Sequence, residues 1–268
     1  MTILQALILG IIQGFTELLP ISSSAHLALT PWLLGWPDHG LAFDVALHLG
    51  TLIAIVAYFH DEWGRLMLAA LSLAKKRRAE TPEEKRVVFL VIATIPAGIA
   101  GLLLEDYAET VFRSPVIIAT NLIVLGVLLW GIDRYASRDR DMASMRWWHA
   151  MVVGFAQCLA LVPGVSRSGS TITAGRALGL TRESAAVFSF LLSMPITLAA
   201  VAFKMPDALS EAESVIPLVV GVIAAAVSAW VAIEVLLRYV VRRSYGIFAL
   251  YRVIFGAIVF YLIYARGL

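Results

Sequence analysis

The chain has 268 residues, of which 60% are hydrophobic and only 15% are charged. A soluble domain of this length is about half apolar and about a quarter charged, so the composition excludes an ordinary soluble enzyme and indicates a polytopic membrane protein. The net charge of +2 and the single cysteine, Cys158, point to neither a nucleic-acid partner nor an internal disulfide.

The first predicted element, residues 3–35, is apolar at its start and polar in its middle. Pro20 interrupts the helical pattern, and the serines after it favour a turn and the start of a second helix. Backbone that leaves a helix at membrane depth must be buried in protein or line a wet cavity. We therefore predict a re-entrant pair of helices. The N-terminus shows no basic region or cleavage pattern that would predict a removable signal peptide.

Six longer apolar segments follow, each close to the roughly twenty residues that a spanning helix needs. They cover residues 43–59, 87–104, 116–132, 185–203, 215–237 and 247–264. A second interrupted segment, residues 148–180, lies between the third and the fourth and contains Pro163. Residues 66–74 are too short to cross, and we predict that they lie at the membrane interface.

The two interrupted segments align without gaps when residues 10–26 are placed over residues 154–170. The alignment pairs Gly10 with Gly154, Gln13 with Gln157, Ser22 with Ser166 and Ser24 with Ser168. Each segment precedes three spans, and an odd number of crossings gives the two halves opposite orientations. We predict one all-α membrane domain over residues 1–268, built from two inverted repeats, about 1–135 and 145–268. Each repeat has one re-entrant pair and three spanning helices.

Lysine and arginine are unevenly distributed, since none precedes Arg65 and they concentrate in residues 61–86 and 133–146. The connectors 105–114 and 204–214 are acidic instead, through Glu105, Asp106, Glu109, Asp207, Glu211 and Glu213. Basic loops are typical of the cytoplasmic side. We therefore predict loops 75–86 and 133–146 in the cytoplasm, and the acidic connectors and both termini outside.

Both interruptions carry polar side chains that are expensive in a membrane and therefore indicate function. Gln13 and Glu17 share one helical face, and Arg167 suits bidentate binding of phosphate oxygens. Hydroxyl groups beside helix starts can complete an anion site. A carboxylate can hold a hard cation, and His26 could act as base or nucleophile. These residues predict phosphate chemistry, with a purely structural Glu17–Arg167 pair as the competing interpretation.

The same segments resemble the two signature motifs of the undecaprenyl pyrophosphate phosphatase family, which is known for bacitracin resistance. The motifs read QGFTELLPISSSAH at residues 13–26 and PGVSRSGST at residues 163–171. The resemblance covers the whole chain. It implies hydrolysis of a C55 polyprenyl diphosphate to the monophosphate and inorganic phosphate, which recycles the lipid carrier for cell-wall synthesis. It also implies an active site on the periplasmic or outer face of the bacterial inner (plasma) membrane and a divalent cation, Mg²⁺ or Ca²⁺.

The resemblance assigns roles to the positions that match the motifs. The catalytic positions are Glu17, Ser23, His26 and Arg167; the phosphate-binding positions are Ser22, Ser166, Arg167, Ser168 and Thr171; the candidate metal ligands are Glu17 and Gln13. The sequence leaves open whether Ser23, His26 or water attacks. Gln13 offers only a neutral oxygen where the motif also permits glutamate, so the number and identity of the metal ions stay open too.

Transport is the alternative function, because inverted repeats with broken helices are also the layout of secondary transporters. The same residues could bind a polyprenyl phosphate and carry it across the membrane. The sequence leaves a homodimer open. Outside the motifs, His48 is predicted to have a packing role, and Glu234 and Arg252 to reach the membrane surface or to pair with each other.

Overall fold

The computed structural model describes residues 1–104, 107, 111–211 and 214–267. Over these ranges the chain is helical and contains no strand, which confirms the predicted all-α class. Some of the acidic residues used to predict the outer connectors lie outside the described residues, namely Glu105, Asp106, Glu109 and Glu213, and the side chain of Glu211 is not described either.

The described helices follow one another with short connections. In chain order they are α1 (Ile3–Leu18), α2 (Ser23–Leu34), α3 (Gly40–Tyr58), α4 (His60–Lys76), α5 (Pro82–Leu103), α6 (Pro115–Tyr135), α7 (Trp147–Cys158), α8 (Arg167–Ala177), α9 (Arg182–Glu211), α10 (Val215–Arg242) and α11 (Gly246–Ala265). Helices α3, α5, α6, α9, α10 and α11 are long and apolar enough to cross a membrane. They contain the six predicted spans except for an end residue or two, and the protein is a multi-pass membrane protein.

The two interrupted segments form helix pairs with similar breaks. The first break separates α1 from α2, and the second, which includes a 3-10 turn at Leu159–Leu161, separates α7 from α8. Ser22 and Ser166 cap the second helix of each pair with their side chains, and their φ angles are 74° and 72°. Positive φ is uncommon outside glycine, so both turns share an unusual backbone conformation.

Helices of one half pack mainly on helices of the other. Helix α1 lies along α10 and α7 lies along α5, while α3 packs on α9 and α6 on α11. Exchanging the two halves therefore turns the α1–α10 pairing into the α7–α5 pairing and leaves the α3–α9 and α6–α11 pairings unchanged. The opposite orientation of the halves, and their limits at about residues 1–135 and 145–268, remain predictions.

A buried ion cluster fixes the far end of α8, away from the break. Arg176 and Arg182 bind the Asp133 carboxylate, with nitrogen–oxygen distances of 3.0 and 2.8 Å. The backbone N–H of Tyr245 donates to the same carboxylate at 3.1 Å. Because Asp133 is on α6, this carboxylate ties the last turn of α8 to three spanning helices.

Residues 66–74 belong to α4, which begins directly after α3. Leu66 and Ala69 are buried, whereas Met67, Leu68 and Leu71 are exposed. This amphipathic pattern agrees with a helix that lies on the membrane surface, and its depth in the membrane remains a prediction.

Close helix contact depends on glycine at matching positions of the two segments. A Cβ atom on Gly10 would lie 2.2 Å from the Gly221 carbonyl oxygen, and one on Gly154 would lie 2.8 Å from the Ala93 carbonyl oxygen. Both distances are shorter than any real Cβ contact, so α1 and α7 reach α10 and α5 only because they carry no side chain there.

We expect Gly10→Ala to lower the apparent Tm of the purified protein in detergent, since the added methyl group forces α1 and α10 apart at a cost of about 1–3 kcal/mol. The matched control is Gly131→Ala on α6, where an added Cβ meets nothing within 4 Å and alanine favours the helix. Equal melting temperatures for the two variants would contradict the close approach of α1 and α10.

Candidate active site

The Glu17 carboxylate is the centre of a buried polar cluster. Its Oε1 lies 2.5 Å from Arg167 Nη2. Its Oε2 accepts a short hydrogen bond from the Ser23 hydroxyl and one of 3.1 Å from Gln13 Nε2. His48 Nε2 lies 3.3 Å from the same oxygen. The structure therefore brings together four of the predicted residues, from α1, α2 and α8, and adds a histidine from α3.

Helix geometry explains why these side chains meet. Gln13 and Glu17 are one turn apart at the end of α1, whereas Ser23 and Arg167 are the first residues of α2 and α8. The first turn of a helix leaves backbone N–H groups without helical partners and carries partial positive charge. Two such helix starts beside one arginine make a site suited to phosphate oxygens.

Burial makes the charges of this cluster interdependent. The side chain of Glu17 is 5% exposed and that of Arg167 is 16% exposed. An unpaired charge at such a depth is costly, and an oppositely charged partner with good hydrogen-bond geometry offsets much of that cost. The predicted structural pairing of Glu17 and Arg167 is therefore present. A guanidinium group has further N–H groups available, so the pairing is compatible with binding of phosphate.

The two breaks hydrogen-bond to each other. The backbone N–H of Gly164 donates to Ser22 Oγ at 3.1 Å, and Ser168 Oγ donates to the Leu19 carbonyl at 3.0 Å. Ser166 Oγ accepts from the N–H of Gly169 and lies 3.2 Å from Ser168 Oγ. Ser22 and Ser168 thus join the two breaks, whereas Ser166 caps its own helix; all three side chains are nearly inaccessible in this arrangement.

Thr171 lies apart from the Glu17 cluster. Its hydroxyl donates to the Arg167 carbonyl at 2.8 Å and lies 2.7 Å from the hydroxyl of Ser189 on α9. The residue is 2% exposed. In this arrangement Thr171 supports the first turn of α8 from behind.

His26 occupies a second polar cluster, next to the first. Its Nδ1 lies 2.7 Å from the Ser22 carbonyl oxygen, and its Nε2 lies 2.7 Å from the Tyr251 hydroxyl. Within the described residues no hydrogen bond joins His26 to Ser23 or to Glu17. The carboxylate of Glu17, and not the imidazole of His26, is therefore the group in contact with the Ser23 proton.

His48 was predicted to have a packing role, but it contacts the Glu17 carboxylate. His48 Nδ1 lies 2.8 Å from the Asp44 carbonyl oxygen one turn earlier, which aims Nε2 at Glu17. An ionisable side chain in the middle of an apolar span was the available signal, because such residues usually face a functional interior.

The prediction for Arg252 was wrong. Arg252 neither reaches the membrane surface nor pairs with Glu234, which binds Tyr58 and Arg238. Arg252 is completely buried, and its guanidinium contacts the carbonyl oxygens of Pro20, Asn121, Leu122, Gly164 and Val165. It therefore contacts both breaks at once. No sign of this role was visible in the sequence, because no motif lies near Arg252.

Two oxygen ligands of the cluster could contribute to a divalent cation site. Gln13 is fully buried, and its Oε1 has no hydrogen-bond partner, although its amide group is bound to Glu17. Carboxylate and amide oxygens are the ligand types that Mg²⁺ and Ca²⁺ prefer. The described residues contain no group of three or more His, Cys, Asp or Glu that could hold a metal ion. The residues of the cluster thus fit a divalent cation whose remaining ligands are oxygens of the substrate.

Comparison with known proteins gives one consistent result. The family of bacitracin resistance protein BacA matches residues 6–258. A relative from Gemmatimonas aurantiaca, named undecaprenyl-diphosphatase, is 62% identical over 260 residues, which cover 97% of each chain. Relatives of the same name from Pelotomaculum thermopropionicum and Pelobacter propionicus are 48% and 49% identical, over 99% and 97% of this chain and 98% and 96% of their own.

Proposed function

We propose that this chain, which belongs to the BacA family of bacitracin resistance proteins, hydrolyses undecaprenyl diphosphate to undecaprenyl phosphate and inorganic phosphate. The observation that carries the proposal is the contact between the Ser23 hydroxyl and the Glu17 carboxylate, with Arg167 bound to the other oxygen of that carboxylate. A nucleophile (Ser23), a base (Glu17) and a phosphate-binding arginine (Arg167) are thereby in contact at one site. Relatives that carry the matching name support the choice of lipid.

Ser23 is the nucleophile in this proposal and Glu17 is its base. As Ser23 Oγ bonds to the terminal phosphorus, its proton passes to Glu17 Oε2. The bond from phosphorus to the bridging oxygen breaks, and undecaprenyl phosphate leaves with that oxygen and its electron pair. Water then attacks the phosphoserine; as the bond from phosphorus to Ser23 Oγ breaks, Glu17 returns its proton to Ser23 Oγ, and both protons of the water leave with the inorganic phosphate as H₂PO₄⁻. His26 is not assigned the attack, because both of its ring nitrogens are engaged.

Arg167 neutralises charge on the transferring group. Phosphoryl transfer spreads negative charge over the equatorial oxygens, and a planar guanidinium can bind two of them together. The starts of α2 and α8 add partial positive charge on either side. Glu17 orients Arg167 at 2.5 Å, so the base and the phosphate-binding side chain are fixed relative to each other. Ser22, Ser166, Ser168 and Thr171 support these helix starts.

A divalent cation, Mg²⁺ or Ca²⁺, is part of the proposal. Glu17 and the unpartnered Oε1 of Gln13 would hold it, together with oxygens of the diphosphate. When bound, the cation supplies charge neutralisation at the phosphates. The amide group of Gln13 also donates to Glu17 at 3.1 Å, which keeps the carboxylate in place for Ser23.

We place the site on the outer, periplasmic side of the bacterial inner membrane. Support comes from charge, since no lysine or arginine precedes Arg65, whereas residues 75–86 are strongly basic. Arg266, at the end of α11, donates to the carbonyls of Trp32 and Leu33 at the end of α2, so the ends of these two helices lie on the same side of the membrane. A homodimer stays open, and light scattering of the purified protein in detergent distinguishes one copy from two.

We expect Arg167→Lys to lower turnover roughly 100-fold or more, which corresponds to about 3 kcal/mol of transition-state stabilisation. The reason is that the ammonium group of lysine cannot bind two phosphate oxygens at once as the planar guanidinium does. Ser23→Ala should lose at least as much. The measurement is phosphate release from undecaprenyl diphosphate by purified protein in detergent, where transport between compartments is impossible. Arg238→Lys, which changes an exposed arginine paired with Glu234, is the control. Parental turnover in Ser23→Ala would exclude Ser23 as the nucleophile. Parental turnover in Arg167→Lys would reduce Arg167 to a structural partner of Glu17.

The role of the cation can be tested on Gln13. We expect Gln13→Glu to place two carboxylates about one hydrogen bond apart, so its apparent Tm in chelator should fall and Mg²⁺ should restore it. The apparent Mg²⁺ affinity in phosphate release should rise, since the variant adds an anionic ligand. Glu17→Gln should nearly abolish turnover, and Gln13→Ala should cost less. Metal-independent turnover of the parent protein would remove the cation from the proposal.

Orientation can be tested with single cysteines in a Cys158→Ser background. We expect an impermeant maleimide added to intact cells, with the outer membrane permeabilised where there is one, to label Pro37→Cys and not Arg78→Cys. Both positions are exposed in loops, so their difference reports the side of the membrane. Labelling of Arg78→Cys from outside would reverse the orientation.

A further inference from the structure

Tyr251 links helix α11 to the first break. Its hydroxyl lies 2.7 Å from His26 Nε2, and the same imidazole contacts the Ser22 carbonyl oxygen through Nδ1 at 2.7 Å. Tyr251 is on the last helix of the chain, and Ser22 precedes the second. His26 is 8% exposed, so its two polar atoms have to be satisfied by these two neighbours.

The partners determine where the imidazole proton lies. A carbonyl oxygen can only accept, so Nδ1 carries a hydrogen atom and donates it to Ser22. The Tyr251 hydroxyl can donate or accept. Burial of His26 disfavours a charged imidazole, and the completely buried cation of Arg252, the next residue on α11, acts in the same direction. The Tyr251 O–H therefore donates to the Nε2 lone pair of a neutral imidazole.

Two aromatic rings hold the imidazole plane in place. Phe255 stacks on His26 with the ring centroids 4.8 Å apart and the planes at 17°. Tyr251 is nearly parallel to the same ring, at 5.7 Å and 11°. Helix α11 thus contributes two residues one turn apart to the orientation of a histidine from the other half of the chain.

His26 in this orientation supports an unusual turn. Ser22 has a φ angle of 74°, and its carbonyl oxygen accepts from both the imidazole and the backbone N–H of His26, at 2.7 and 3.3 Å. Ser23 is the next residue, and its hydroxyl reaches Glu17. Any rotation of the Ser22 peptide would therefore move Ser23 away from its base.

We propose that Tyr251 is a positioning residue that holds His26 in the Nδ1–H tautomer, so that His26 braces the Ser22 turn and presents Ser23 to Glu17. In this role His26 neither attacks phosphorus nor removes the Ser23 proton. The tautomer follows from contacts within the protein alone, whereas the effect on turnover rests on the proposed hydrolysis.

The tautomer can be measured by NMR of the full-length protein in detergent with ¹⁵N-labelled histidine. His26 is identified by the signals that disappear in His26→Gln. We expect the parent to show a protonated Nδ1 and an unprotonated, hydrogen-bonded Nε2. In Tyr251→Phe the Nε2 signal should shift toward that of a free lone pair. The control is Tyr261→Phe, which changes an exposed tyrosine of the same helix and should leave the His26 signals unchanged.

Kinetics of the same variants test the positioning role. We expect kcat of Tyr251→Phe to fall about tenfold, as for the loss of one hydrogen bond that holds the nucleophile. KM should stay within about twofold, because Tyr251 binds His26 and not the phosphates. Tyr261→Phe should match the parent in both constants. A merely destabilised protein would lose active fraction, so the active concentration is checked by thermal unfolding before assay.

Each outcome decides one part of the inference. A proton on Nε2 in the parent, or identical spectra for the parent and Tyr251→Phe, would overturn the tautomer assignment. The expected spectra with parental kcat in Tyr251→Phe would overturn the positioning role. An inactive parent with the expected spectra would count against the proposed hydrolysis, while the tautomer assignment would stand.

Discussion

Backbone carbonyl groups at the two helix breaks need donors from inside the protein, and the rest of the site depends on how they obtain them. Membrane lipid offers no hydrogen bonds, so each break must be satisfied by other residues. Arg252 serves both breaks, with contacts of 3.3 Å to the Pro20 carbonyl and of 2.8 and 3.0 Å to those of Gly164 and Val165. No carboxylate of the described residues forms a salt bridge with it, and carbonyl dipoles surround its charge instead.

The active-site geometry follows from these bonds between the breaks. With the breaks held together, α2 and α8 start side by side, and the first residues of these helices, Ser23 and Arg167, meet the last turn of α1. The ion pair between Glu17 and Arg167 is then a consequence of the fold. It does not have to hold the halves together, so a bound diphosphate can share Arg167 without releasing them. Serine hydroxyls at Ser22 and Ser168 perform the same joining function on a smaller scale.

The sequence predicted those features that depend on neighbouring residues. The six spans appear as apolar runs, and the breaks appear as proline followed by serine, because helix initiation is local. Glu17 and Arg167 were recognisable because an ionised side chain in an apolar segment is costly unless it has a purpose.

Contacts between distant segments were not predictable in the same way. His48 reaches Glu17, and Arg252 reaches the carbonyls of the breaks, only because α3 and α11 pack beside the breaks, and nothing local marks these partners. Tyr251 is one of several tyrosines in an apolar span, and its pairing with His26 joins residues 225 positions apart. The Ser22 carbonyl, which the imidazole contacts, has no sequence signature at all. The types of side chain in the site could therefore be predicted from the sequence. The hydrogen bonds that fix the tautomer of His26 could not, because they depend on how the two halves pack.

The same interactions distinguish hydrolysis from transport on this frame. A carrier with inverted repeats exposes its site alternately by rocking one half against the other. Here the breaks belong to different halves and are joined through Ser22, Ser168 and Arg252, so rocking at this point would leave buried carbonyls and N–H groups without partners. Each such group costs about 1–3 kcal/mol, and several would be exposed together. A site that performs its chemistry in place involves no such cost, because only Ser23, Arg167 and the phosphates need to move. The bonds that make the breaks tolerable in a membrane thus favour a fixed catalytic site over a moving one.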